Sequence, residues 1–197
     1  MAENFDINIF LAAAPIGKAR RQFVEQLFHE LAHWLGRPRS LAINVLATGD
    51  FHHTRWPAGA LILEEPPNPA VLLHIYGRMA DAGRASLTID ETPPSATYVV
   101  ALPNAVVRQS SDAEVDETLT RLFELTIDVS PGLVLAGVEI AIDARGKDMR
   151  QVVNDEMAID TDVELVVGPK RLLSSPGSHW QVLRSSDSSL ALRRRKA

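Results

Sequence analysis

The chain has no cysteine. That excludes disulfides, thiolate catalysis and cysteine-based zinc or iron–sulfur sites, and it removes the usual sequence mark of a stapled, secreted scaffold. No apolar run approaches the ~20 residues that a membrane-spanning helix requires. Neither a GxSxG elbow nor a GxGxxG fingerprint occurs, so acyl transfer on a nucleophile elbow and dinucleotide binding have no signature here. The stretch 12–19 sits between a strand and a helix as a phosphate-binding loop does. It has only Gly17-Lys18, lacks the first glycine, and places Ala19 where the magnesium-binding hydroxyl should stand. The first residues, Met1-Ala2-Glu3-Asn4, are acidic where a secretory leader is basic, which leads to the expectation of a cytoplasmic protein with no membrane partner. With 197 residues, 46% of them hydrophobic, the chain buries a sufficient core without outside help.

What is present is a lopsided charge distribution. The net charge of −5 divides into −1 over residues 1–110, −10 over 111–164 and +6 over 165–197. The positive end concentrates in Arg193-Arg194-Arg195-Lys196, a short tail that is expected to be frayed and solvated, and one basic cluster is a weak nucleic-acid signal. The acidic middle raises the local concentration of oppositely charged partners, so a basic protein is the expected partner. Asp112, Glu114, Asp116 and Glu117 are the residues expected to meet it.

Periodicity predicts a strand over 5–11 and then a helix from Lys18 whose apolar face is Val24, Leu27, Phe28, Leu31 and Leu35, stopped by Gly36 and Pro38. Strands follow over 41–47, 60–63, 71–76 and 85–89. A second unit starts with a strand over 97–102. Ser111 and Glu114 form a capping box ahead of a helix with Val115, Leu119, Leu122 and Phe123 on its apolar face, ended by Pro131-Gly132. A strand over 133–142, a helix over 147–157 and strands over 163–167, 179–183 and 190–192 complete the chain. The expected fold class is α+β, a mixed β-sheet with helices packed mainly on one face. The order strand, proline, helix, strand occurs twice, so 1–91 and 96–192 read as two duplicated βαβ-type halves of one domain spanning 1–197, joined at the turn-rich 91–95 and followed by the tail 193–197.

One sharp chemical motif lies on the first helix: His29-Glu30-Leu31-Ala32-His33, then Trp34-Leu35-Gly36. HExxH places two histidines one turn apart on one face, where both can ligate Zn²⁺, and the glutamate can take a proton from the metal-bound water. The segment resembles the longer metzincin pattern, because Gly36 stands where that family turns the chain towards its third ligand; Arg39 occupies that ligand's place. Arginine carries donors only and cannot ligate zinc. The tract HELAHW with Gly36 also resembles the metallopeptidase-like domain of plasmid antirestriction proteins, over about a dozen of the 197 residues. A third ligand would have to come from His52, His53, Glu64, Glu65 or His74. With Leu27, Leu31 and Leu35 facing the core, His33 and His29 point away from it beside Gln22 and Gln26. A zincin also lays several strands before its active-site helix, and here only one precedes it.

The other constellations are weaker. His52-His53 reads as an exposed loop after Asp50, the aspartates 143, 148, 155, 160 and 162 lack calcium-loop spacing and read as a hydrated face, and Ser178-His179 are adjacent and cannot form a dyad on a strand. Two readings of function result. The favoured one is a non-catalytic acidic binding protein without cofactor, of the kind that neutralises a basic protein as an immunity-type inhibitor does. The alternative is a zinc-dependent hydrolase with His29 and His33 as ligands and Glu30 as general base.

Overall fold

A computed structural model describes residues 3–36, 40–45, 48–55, 63–64, 71–75, 85–91, 95–140, 142, 144, 146–158 and 161–195. Among them the chain runs β1 (Asn4–Leu11), α1 (Lys18–Glu30), α2 (Ala32–Leu35), β2 (Ser40–Val45), β3 (Asp50–Arg55), β4 (Val71–Ile75), β5 (Ala85–Asp90) and β6 (Ala96–Pro103). It continues through α3 (Asn104–Val107), α4 (Asp112–Ile127), β7 (Gly132–Val138), α5 (Met149–Glu156), β8 (Leu165–Pro169), α6 (Lys170–Leu173), β9 (Trp180–Ser185) and β10 (Ser189–Arg194).

The strands form one ten-stranded sheet in the order β3-β2-β4-β5-β6-β1-β7-β8-β10-β9. Each pair of neighbours is antiparallel, which corrects the expectation of a mixed sheet. The two expected strand–helix–strand units do exist, but the strands of each are not neighbours. α1 carries the chain past β6, β5 and β4, whereas the α3–α4 connection from β6 to β7 passes only β1. Like-directed strands are thus separated by opposed ones, and because the two crossovers differ, the structure does not show a duplication.

Helices cover both faces of the sheet, with α1 to α4 on one and α5 and α6 on the other. On β1 the residues Phe5, Ile7, Ile9 and Leu11 point into the core under α1 and α4, and Phe10 points into the second core with Val152, Val153 and Leu173. The reason is legible in β7 and β8. Leu133-Val134-Leu135-Ala136 and Leu165-Val166-Val167 are continuous apolar runs and are buried throughout, which requires cover on both sides, whereas β5 and β6 alternate along most of their length.

Local chemistry sets the helix ends. The capping box of α4 is present: the Ser111 N–H donates to Glu114 Oε2 at 2.7 Å and the Glu114 N–H to Ser111 Oγ at 3.3 Å. A second box starts α5, where the Gln151 N–H donates to Asp148 Oδ1 at 2.9 Å and the Asp148 N–H to Gln151 Oε1 at 2.8 Å, so Asp148 is a cap as well as a surface charge. The first helix is interrupted: Leu31 leaves helical geometry at φ −86°, ψ 1°, and α2 then runs to Gly36, whose φ of +68° suits only glycine well. All five expected core residues of that segment, Val24, Leu27, Phe28, Leu31 and Leu35, are buried. β7 stops at Val138 instead of reaching 142, because Glu139 adopts φ +52° and its N–H turns to the Asn4 carbonyl at 2.9 Å. His52 and His53 lie on β3, an edge strand, and not in a loop. Of the strand expected over 60–63, only Leu63 falls within the described residues, in a short turn of 3₁₀ helix.

Candidate functional site

The acidic middle of the sequence and its basic end meet in space. Arg193, on β10, pairs with Asp112 and, at 2.7 Å, with Asp116. Arg194 donates from Nε to the Val163 carbonyl at 2.7 Å and from one terminal nitrogen to Thr161 Oγ1 at 2.7 Å and the Ala158 carbonyl at 2.9 Å, with its guanidinium 5.0 Å from the Trp180 ring centre. The expectation of a frayed tail therefore fails for these two arginines. A planar five-donor cation is ordered wherever carbonyls and carboxylates converge on it. The same contacts redefine the acidic surface. Asp112 and Asp116 are engaged by Arg193, Glu114 by the cap, and Glu117 by Arg121 at 3.3 Å. Capping holds the exposed Glu114 carboxyl below its ordinary pKa, since the Ser111 N–H and hydroxyl both donate to the charged form. The acids of α4 without a partner among the described residues lie at the other end of the helix, Glu124 and Asp128, both exposed.

The HExxH tract straddles the interruption at Leu31, with His29 and Glu30 closing α1 and His33 on α2. Both ring nitrogens of His33 face oxygens: Nδ1 lies 3.1 Å from the Glu30 carbonyl and Nε2 3.4 Å from Thr118 Oγ1, whose own hydrogen goes to the Glu114 carbonyl at 2.8 Å. Both nitrogens are thus turned toward oxygens of the chain itself, and a neutral imidazole, with one N–H, donates to only one of them at a time. The Glu30 carboxylate takes an ion pair from Arg121 Nε at 3.1 Å. Among the candidate third ligands, Glu64 is paired with Arg21 at 2.7 Å, His53 is exposed on β3, and Glu65 lies outside the described residues, as does Arg39 at the metzincin ligand position. No group of three His, Asp or Glu side chains among the described residues is placed to hold one metal ion. His179 likewise is committed, with Nε2 donating to the Met157 carbonyl at 3.1 Å.

His29 is exposed and lines a trough of about 880 Å³ between α1 and α4. The helices run antiparallel here, since Glu30 meets Arg121 at one end while 14–16 and Asp128 lie together at the other. Gln22, Gln26 and His29 form one wall, Leu125 and Val129 the other, and Ile16 stands at the mouth with 70% of its surface exposed.

Sequence reasoning missed a buried polar cluster beneath α1. The Arg20 guanidinium donates to Glu91 Oε2 at 3.2 Å, and the Tyr98 hydroxyl donates to Glu91 Oε1 at 3.1 Å, with both charged residues under 5% exposed. Burial raises the Glu91 carboxyl above its ordinary pKa against the opposing pull of Arg20 and Tyr98, and burial with the neighbouring Glu91 charge raises Tyr98. The signal was available: Arg20 falls on the core stripe of Val24, Leu27 and Leu31, where an arginine demands a partner. A second perturbed carboxyl is Asp6 on β1, pushed up to about 6 by burial first and by the Glu139 charge second. A folded-state pKa above the unfolded one means that the native state holds the proton more tightly, so this group's contribution favours folding at low pH and is lost as pH rises from about 4 to about 6. Asp6→Asn should flatten the stability–pH profile in that window and raise stability at pH 7, as urea melts between pH 4 and 8 would show. An unchanged profile would remove Asp6 as its origin.

No protein-family model matches the sequence, and no curated protein matches it. Among solved structures, the chain is similar to the Pseudomonas aeruginosa T6SS protein PA0821, with a TM-score of 0.52 at 10% identity, over 97% of this chain. The match spans 65% of the length of that protein, so the likeness is one of fold over part of a longer molecule.

Proposed function

We propose that this α+β protein is a non-catalytic binding protein whose acidic helical surface neutralises a basic protein partner, in the manner of an immunity-type inhibitor. The observation that carries the reading is the surface of α4, where Glu124 and Asp128 are exposed without a partner among the described residues and no basic residue stands in the last turn to offset the negative end of the helix dipole. That is a local field left for an incoming cation. The fold likeness to a T6SS protein is compatible with such a role. The four acids named from the sequence, Asp112, Glu114, Asp116 and Glu117, contribute to the same potential, although each is partly spent within the chain.

The natural partner, isolated by cross-linking in cells and then purified, should associate at a rate that falls steeply with salt, because exposed charges are screened beyond about 8 Å at physiological ionic strength. Glu117→Lys together with Glu124→Lys should slow association more than it speeds dissociation in surface plasmon resonance. A salt-independent on-rate would end this reading. The hydrolase reading keeps one favourable observation, that His29 lines a trough. Stoichiometric zinc in protein purified without added metal, lost in His29→Ala, would put that reading in place of the binding one.

A further inference from the structure

We propose that the trough between α1 and α4 is the docking site itself, and that its occupant is a basic amphipathic helix of the partner protein; this rests on the binding reading above and locates it. Four large apolar side chains stand exposed among the described residues, Ile16, Phe51, Ile127 and Val182. Of these only Ile16 is in the wall of the trough. Single exposed apolar residues need no explanation, but Ile16 stands in one concavity with the partly buried Leu125 and Val129, and that combination marks an interaction surface.

The charge of the trough selects the occupant. Its wall contains Glu25, Glu30 and Asp128, and no lysine or arginine. Glu25 is shared with Arg21 and Glu30 with Arg121, which leaves Asp128 and the negative end of α4 uncompensated beside the apolar mouth. A leucine-rich ridge would lie on Ile16, Leu125 and Val129 while a flanking lysine or arginine meets Asp128. The length also fits a helix. Along α1 the lining runs from Ala19 to Glu30, so the trough extends for about 16 Å, the length of roughly three turns. Two antiparallel helices with an open seam accept a third by the same ridge-into-groove packing that joins the first two.

The test uses the full chain, labelled with ¹⁵N, and two synthetic peptides of about four helical turns. One has leucines at i, i+3, i+4 and i+7 flanked by lysines, and the other has every lysine replaced by glutamate. The basic peptide should shift the amide resonances of Ile16, Gln26, Leu125 and Asp128 at low salt, and the acidic one should not. Ile16→Ser and Asp128→Lys, at exposed positions, should each weaken binding by about tenfold, or 1.4 kcal/mol, without lowering Tm. Absence of binding, or equal binding by the acidic peptide, would overturn the proposal. So would concentration-dependent broadening of the trough resonances without peptide, which would make a second copy the occupant. Shifts confined to Asp112 and Glu117 would remove the trough while leaving the acidic-surface reading intact. That reading fails separately if the natural partner ignores charge reversal on α4.

Discussion

Glu91→Ala is expected to lower folding stability by about 3–5 kcal/mol, measured as a shift of the urea midpoint with unchanged slope. The substitution leaves the Arg20 guanidinium buried under α1 with its carboxylate partner gone, and it also strands the Tyr98 hydroxyl, which donates to the same carboxylate. The cost is mainly that of a buried charge deprived of this carboxylate and not the net worth of the pair. A double replacement, Arg20→Met with Glu91→Leu, should therefore recover most of the loss, because exchanging a whole buried pair for apolar groups of similar volume is often neutral. The double-mutant cycle should show strong coupling between the two sites. A small effect of Glu91→Ala would mean that the Arg20 charge is met by other groups or by water and does not depend on Glu91.

Leu31→Ala is the second large effect, expected at about 2–5 kcal/mol from lost transfer energy and the cavity left behind. Leu31 has no exposed surface and sits where α1 gives way to α2, donating its N–H to the Leu27 carbonyl at 3.1 Å while its own carbonyl receives the N–H of Leu35 at 2.9 Å. Because the leucine fills the core at the interruption, truncation should also loosen the angle between the two helices. Faster amide exchange at Trp34 and Leu35 than at Val24 would report this. An effect near zero would show that the core closes around the missing methyl groups.

Much of the secondary structure was legible because its signals are local. The period of Val24, Leu27 and Leu31, the Ser111–Glu114 box and the glycine at 36 each act over a few residues, and each does in the structure what its spacing implies. β3 escaped notice because Phe51-His52-His53-Thr54 carries little apolar alternation, as suits an edge strand with one side unpaired. The two-faced burial of β7 and β8 is written in their unbroken apolar runs, and it overturns the expectation of helices mainly on one face.

The candidate site divides in the same way. Sequence placed His29, Glu30 and His33 on one polar helix face and the acids on one helix; the acids are on α4, whereas the histidines are divided between α1 and α2. Which charges remain available was decided only by the fold. Arg193 reaches Asp112 across 81 positions and Arg20 reaches Glu91 across 71, and no local pattern encodes such pairs. By itself the sequence determined where most of the helices and strands form, because turn hydrogen bonds, caps and side-chain periodicity depend on neighbours within one or two turns. The tertiary structure alone decided the strand order, the closing of the HExxH face by Thr118 and Arg121, and the opening of the trough at the far end of α4. Each of these depends on which distant segments pack together, and that is set by the total burial of apolar surface across the sheet rather than by any one segment's chemistry.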